Sequence, residues 1–138
     1  MGMNRDMIGH VYPPSQPYLV TTEKVSAFVS ALGETNPAFA AGTVAPPTFP
    51  IVVTMNAMEE AFHDPALQMD YSRIVHSDQR FQYVRPIRIG DELIVRASVE
   101  EIKALGPSEI ATFKTEVLSG DELVVTGWSK LVVRGPDA

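Results

Sequence analysis

The chain has 138 residues, enough for one domain with a real core, and 45% apolar against 20% charged residues is the composition of a globular protein rather than a disordered one. Eleven basic against seventeen acidic residues give a formal charge of −6, and no basic run exists to neutralise phosphates, which argues against a nucleic-acid surface. Without cysteine, a disulfide framework and thiolate metal sites are excluded; no apolar run reaches the length of a signal peptide or a membrane span, so the expected location is cytoplasmic.

Residues 8–20 (IGHVYPPSQPYLV) hold three prolines and few strong strand signals, which predicts an extended arm with a short edge strand at Tyr18 to Val20. Thr22 to Leu32 reads as an amphipathic helix. Val25, Phe28, Val29 and Leu32 fit the i, i+3, i+4, i+7 pattern, and Gly33 supplies the stop. Residues 34–47 (ETNPAFAAGTVAPP) are small and proline-broken, a loop. Thr48 to Phe62 (TFPIVVTMNAMEEAF) is the organising element. Phe49, Val52, Val53 and Ala57 form one stripe on the helical wheel, and Ile51, Met55, Met58 and Phe62 form another. A helix apolar on every side has to be enclosed by other parts of the protein. At about 15 residues it spans roughly 22 Å, too short for a bilayer. Thr48 is the expected N-cap, with Pro50 tolerated in the first turn.

After a connection at 63–71, four strand-like segments follow: Ile74 to Val84, Leu93 to Ile102, Glu109 to Leu118 and Leu123 to Val133. Turn signals separate them at Arg85-Pro86 with Ile89-Gly90-Asp91, at Leu105-Gly106-Pro107-Ser108, and at Ser119-Gly120-Asp121. In the second segment Leu93, Val95, Ala97 and Val99 share a face; in the third, Ala111, Phe113, Thr115 and Val117 do. The expected product is a single α+β domain over 1–138, a curled antiparallel meander wrapped around a long central helix, which is the hotdog architecture.

Two stretches carry a resemblance. Residues 30–39 read SALGETNPAF, similar to the Gly-Asp-x-Asn-Pro-x-His motif of the (R)-specific enoyl hydratases in the MaoC-like hotdog family. There the Asp and His hold the water that adds across, or leaves from, the α,β bond of a thioester. Gly33, Asn36 and Pro37 match, but Glu34 stands at the Asp position and Phe39 at the His position. A phenyl ring neither accepts nor delivers a proton. A carboxylate moved by one methylene is misplaced by about 1 Å, enough to cost on the order of a hundredfold. The motif is present as structure and broken as chemistry.

The second stretch, RIVHSDQRFQYVRPIRIGDEL (73–93), resembles the His-Gly-Glu-Gln strand and Arg-Pro turn of the N-terminal, non-catalytic half of two-domain MaoC-like hydratases. It is also similar to the A-type subunit of heterodimeric (3R)-hydroxyacyl-ACP dehydratases and to related stand-alone actinobacterial proteins. Val44-Ala45-Pro46-Pro47-Thr48-Phe49 fits the same group, and the resemblance runs from about Ile8 to Val133. It implies a subunit that binds the acyl chain of an acyl-CoA or acyl-ACP thioester, in fatty-acid metabolism, without metal or cofactor. It further implies a homodimer when the chain is alone and a heterodimer with a catalytic MaoC-like hotdog. Two alternatives stay open: a thioester-binding homodimer with no enzymatic partner, and a self-sufficient hydratase using Glu34 or His76 with Asp78.

His76 and Asp78, two apart on a strand, are expected on one face. They serve either as an acid–base pair or thioester contact, or as a hydrogen-bonded structural pair. Thr48, Phe49, Met55, Met58, His76 and Gln79 are the candidate substrate-binding residues, with Met69 a further tunnel candidate, although a methionine on a buried helix is usually core filler. His10 and His63 read as solvated, and Asn36-Pro37 reads as a turn capped by its own side chain. Amides at the start of the central helix are candidate donors to a thioester carbonyl, reduced in number by Pro47 and Pro50.

Overall fold

The computed structural model describes residues 2–40 and 43–136, and of residue 40 only the backbone. Its helices are α1 (Thr22–Leu32), a short α2 (Pro37–Ala40) and α3 (Pro50–Phe62); its strands are β1 (Tyr18–Leu19), β2 (Ile74–Tyr83), β3 (Glu92–Leu105), β4 (Ser108–Ser119) and β5 (Glu122–Val133). They form one antiparallel sheet in the order β1-β3-β4-β5-β2, with α3 packed against β3, β4 and β5. This is the hotdog arrangement. The α1 boundaries fall where the periodicity put them, because Thr21 caps the Lys24 amide and Gly33 adopts the left-handed conformation (φ 67°) that ends the helix. Residues 41 and 42 of the 34–47 loop lie outside the described residues.

Alternation places the core. On the concave face of the sheet, cross-strand partners form four rows running from β3 through β4 and β5 to β2. They are Ile102–Ala111–Leu131–His76, Val99–Phe113–Ser129–Gln79, Ala97–Thr115–Gly127–Phe81 and Val95–Val117–Val125–Tyr83. The β3, β4 and β5 members are all buried, and apart from Thr115, Ser129 and Gly127 all are apolar. Val53, Met58, Ala61 and Phe62 of α3 close over them. The third row is built around Gly127. A Cβ there would lie 2.6 Å from Thr115 Oγ1 and 3.2 Å from the Phe81 ring, so only hydrogen lets that aromatic cross the strand.

Three expectations are corrected. The four segments are not a simple meander: β3, β4 and β5 are, but β2 crosses to the far side and pairs with β5. Local turn signals show where a strand ends and not which neighbour it joins. Thr48 is not the N-cap. Phe49 holds that position in a helical conformation with no side-chain cap, because the chain enters α3 through overlapping i→i+3 turns. Nor is α3 enclosed on all sides within one subunit. One sheet covers one side only, and Ile51, Val52 and Met55 remain half-buried while Asn56, Glu59 and Glu60 are exposed.

The two sheet edges differ. The arm runs antiparallel along β3, with the Gly9, Tyr12 and Ser15 amides donating to the Val99, Ala97 and Val95 carbonyls, and β1 continues this pairing. That edge therefore ends in the arm and the two-residue β1. The β2 edge has no strand beyond it among the described residues.

Candidate functional site

The motif at 33–39 folds into a turn between α1 and α2. Glu34 Oε1 accepts from the Thr35 and Asn36 amides (3.0 and 2.9 Å), and Asn36 Oδ1 accepts from the Ala38 amide (3.0 Å). The Glu34 carboxylate is therefore engaged with its own loop, and Asn36 caps the turn as its residue type predicts. Phe39 is half-buried and packs on the cluster that contains Phe49, Val95 and Val125. Nothing at the position expected for a proton carrier can carry a proton.

The entrance to α3 is fixed in the same self-contained way. The Phe49, Ile51 and Val52 amides donate to the Pro46, Thr48 and Phe49 carbonyls (2.9, 3.2 and 3.0 Å). Pro47 and Pro50 have no amide hydrogen, and of the remaining amides of 47–52 that of Thr48 has no acceptor among the described residues. Tyr83 Oη donates to the Pro47 carbonyl (2.6 Å), locking this entrance to β2, and burial pushes its phenol above the ordinary tyrosine value.

An open cleft of about 420 Å³ lies between this entrance and β2, lined by Thr48, Ile51, His76, Ser77, Asp78, Gln79 and Phe81. Of the substrate-binding candidates, Thr48, His76 and Gln79 meet here. Met55 is half-buried on α3 away from the cleft walls, while Phe49 (1% exposed) and Met58 (0%) sit inside the core. Phe49 stacks edge-on against Phe28, and Met69 is also buried. None of the 33–39 residues lines the cleft.

The pairing of His76 with Asp78 is not what β2 delivers. A bulge at Ser77 shifts the register, so His76 faces Leu131 while Asp78 faces Lys130. Opposed residues in an antiparallel pair share a face, and Leu131 and Lys130 are consecutive, so His76 points to the concave side and Asp78 to the convex side. The extra residue brings His76 and Gln79 onto one face instead. His76 Nε2 lies 3.1 Å from Gln79 Oε1, which also accepts from the buried Ser129 hydroxyl (2.6 Å). Sequence spacing missed this contact because a bulge inverts strand parity and leaves no local signature in residues 76–79.

A larger cleft of about 740 Å³ separates the arm from the C-terminal end of α3, and two pairs of its polar groups are bonded to each other. Tyr12 Oη donates to Asp64 (2.8 Å), and burial together with this bond raises the phenol above its ordinary value; the exposed His63 contacts Glu59 (2.9 Å). His10 is exposed and packs edge-on against Tyr12. Among the described residues no group of three or more His, Asp or Glu is placed to hold a metal ion, and no helix is long and apolar enough to cross a membrane.

Residues 6–127 match the family model described as FAS1-like, dehydratase domain region. A UPF0336 protein of Streptomyces coelicolor is 40% identical over 99% of both chains. Among solved structures, the truncated HadBC (3R-hydroxyacyl-ACP dehydratase) complex of Mycobacterium tuberculosis superposes with a TM-score of 0.79 at 25% identity, covering 92% of this chain and 97% of that one. A MaoC-like dehydratase superposes with a TM-score of 0.84 at 26% identity over 95% of this chain, but over only 43% of its own longer chain.

Proposed function

Because the chain belongs to the FAS1-like dehydratase-region family, a hotdog family of dehydratases and hydratases, we propose that it is the acyl-thioester-binding, non-catalytic subunit of a (3R)-hydroxyacyl-thioester dehydratase or (R)-specific enoyl hydratase. The observation that carries this reading is Phe39, a packed phenyl ring where the chemistry needs a proton carrier, beside a Glu34 carboxylate already engaged with two amides. The closure of the Phe49, Ile51 and Val52 amides on their own turns agrees with it, since stabilising an oxyanion requires donors aimed at where the charge develops and only the Thr48 amide is left for that. The second hotdog supplies the acid and the base, and this chain supplies fold, cleft and acyl contact. The β2 edge, open in the single subunit, is the surface such a partner pairs with, and the half-covered Ile51, Val52 and Met55 of α3 lie on the side it would close.

The alternative of self-sufficient catalysis by His76 with Asp78 loses its pair, because the two side chains lie on opposite faces. A thioester-binding homodimer without a catalytic partner is separated from the proposal by purification from the native host. Under the proposal the chain elutes in stoichiometric complex with a small hotdog that carries an intact Gly-Asp-x-Asn-Pro-x-His motif. Recovery solely as a homodimer, at native expression levels, overturns the catalytic association.

A further inference from the structure

The bulge at Ser77 is held by a bond from Ser77 Oγ to the Lys130 carbonyl (3.1 Å), and its consequence is to set two residues three apart side by side on the concave face. A regular strand puts residues three apart on opposite faces. The result is a chain of polar contacts at the cleft, Ser129–Gln79–His76, whose hydrogen positions follow from elimination. Ser129 is 0% exposed, and its hydroxyl meets Gln79 Oε1 at 2.6 Å. The Gln79 amide nitrogen lies 3.5 Å from the Arg80 carbonyl, which can only accept, so the amide is oriented with Nε2 toward Arg80 and Oε1 toward Ser129 and His76. An amide oxygen has no proton to offer. His76 Nε2, 3.1 Å away, therefore carries the hydrogen, and in the neutral ring Nδ1 is left as a lone-pair acceptor with no donor among the described residues.

We propose that His76, held in this tautomer by Gln79 and Ser129, is a ligand-binding residue whose Nδ1 accepts a hydrogen bond from an O–H or N–H donor of the acyl thioester in the cleft between β2 and the α3 entrance. The proposal rests on the thioester-binding reading above. Satisfying Ser129 needs Gln79 alone. The bulge and the solvent-exposed imidazole together place a fixed acceptor in the wall of the cleft, where a ligand can use it. Two donors of such a ligand qualify, the 3-hydroxyl of a hydroxyacyl group and the amide of the pantetheine arm nearest the sulfur. Gln79 acts as a positioning residue.

The test uses the intact, associated protein and two ligand comparisons by calorimetry: (3R)-3-hydroxybutyryl-CoA against butyryl-CoA, and butyryl-CoA against its analogue with an ester in place of that amide. One net hydrogen bond corresponds to about a 3–10-fold preference for the donor-bearing ligand. His76→Ala is expected to erase that preference while leaving the donor-free ligand within about twofold, and the comparison that responds identifies the donor. Nitrogen-15 NMR of the imidazole is expected to show the Nε2–H tautomer in the wild type and a mixture in Gln79→Leu. An Nδ1–H tautomer in the wild type, or preferences that survive His76→Ala, overturns this inference and leaves thioester binding standing. Failure of the wild type to bind any of these thioesters removes the thioester-binding reading and this site with it.

Discussion

Asp91 shows how much of the molecule depends on single side chains away from the cleft. Arg85 donates both Nη1 and Nη2 to its two carboxylate oxygens (2.9 Å each), and the Arg88 amide and the Ser119 hydroxyl add bonds of 2.8 and 3.1 Å. Burial works to raise this carboxyl, but the bonds to its charged form outweigh it, and Asp91 lies below the ordinary carboxylate value. A depressed carboxyl contributes stability that is fully present above the unfolded value, about 4, and is lost as pH falls through the folded value. Asp91→Asn is therefore expected to destabilise the domain by on the order of 3 kcal/mol at neutral pH, a deficit that shrinks below about pH 4. Urea melts at pH 7 and pH 3.5 check it, and an equal deficit at both contradicts it. Gly127→Ala forces a methyl against Thr115 Oγ1 and Phe81 and is expected to lose about 1–3 kcal/mol in the same assay. At this scale the turn residues were legible in the sequence. Gly33, Gly106 and Gly120 all take positive φ where turns were read. The His76–Gln79 contact was not legible, because it depends on one inserted residue in β2.

Among the elements, what alternation encodes was readable and what pairing encodes was not. Leu93, Val95, Ala97 and Val99 are buried together, as are Ala111, Phe113, Thr115 and Val117, because inward side chains recur every second residue whatever the topology. The crossover of β2 to the outside of β5 is a long-range choice that no window of sequence contains. The helix entrance failed in a related way. Thr48 is a good capping residue by type, but Pro46, Pro47 and Pro50 impose turns that put Phe49 in helical conformation ahead of the first helical residue. One tie between elements is directly testable. Tyr83→Phe removes the bond to the Pro47 carbonyl that holds β2 to the start of α3, leaving that acceptor unpaired, and is expected to cost about 1 kcal/mol. An unchanged melting temperature contradicts the tie.

At the scale of the molecule, a ten-residue β2 at the edge of the sheet predicts association. With the arm covering β3 and no strand beyond β2 among the described residues, the purified chain is expected to be a dimer whose sheet continues across the β2 edges. Light scattering at micromolar concentration checks this, and a stable monomer contradicts it. The family and architecture were legible over nearly the whole length because the glycine, proline and alternation signals that set the fold are retained. The division of labour proposed above shows in the sequence only as a loss, Phe39 where the family motif has a histidine, since a partner leaves no residue of its own in this sequence.

The central claim, that this chain binds and does not catalyse, is met most directly by enoyl-CoA hydration measured on the purified Glu34→Asp, Phe39→His double variant beside the wild type. Restoring both groups returns a proton carrier but not the donors at the α3 entrance, where the Phe49, Ile51 and Val52 amides stay closed on their own turns. The variant is expected to fold, to dimerise and to remain within background of an inactive wild type, with turnover appearing only when wild-type protein is combined with a hotdog bearing the intact motif. Hydration of crotonyl-CoA by the double variant alone, well above that background, would contradict the account.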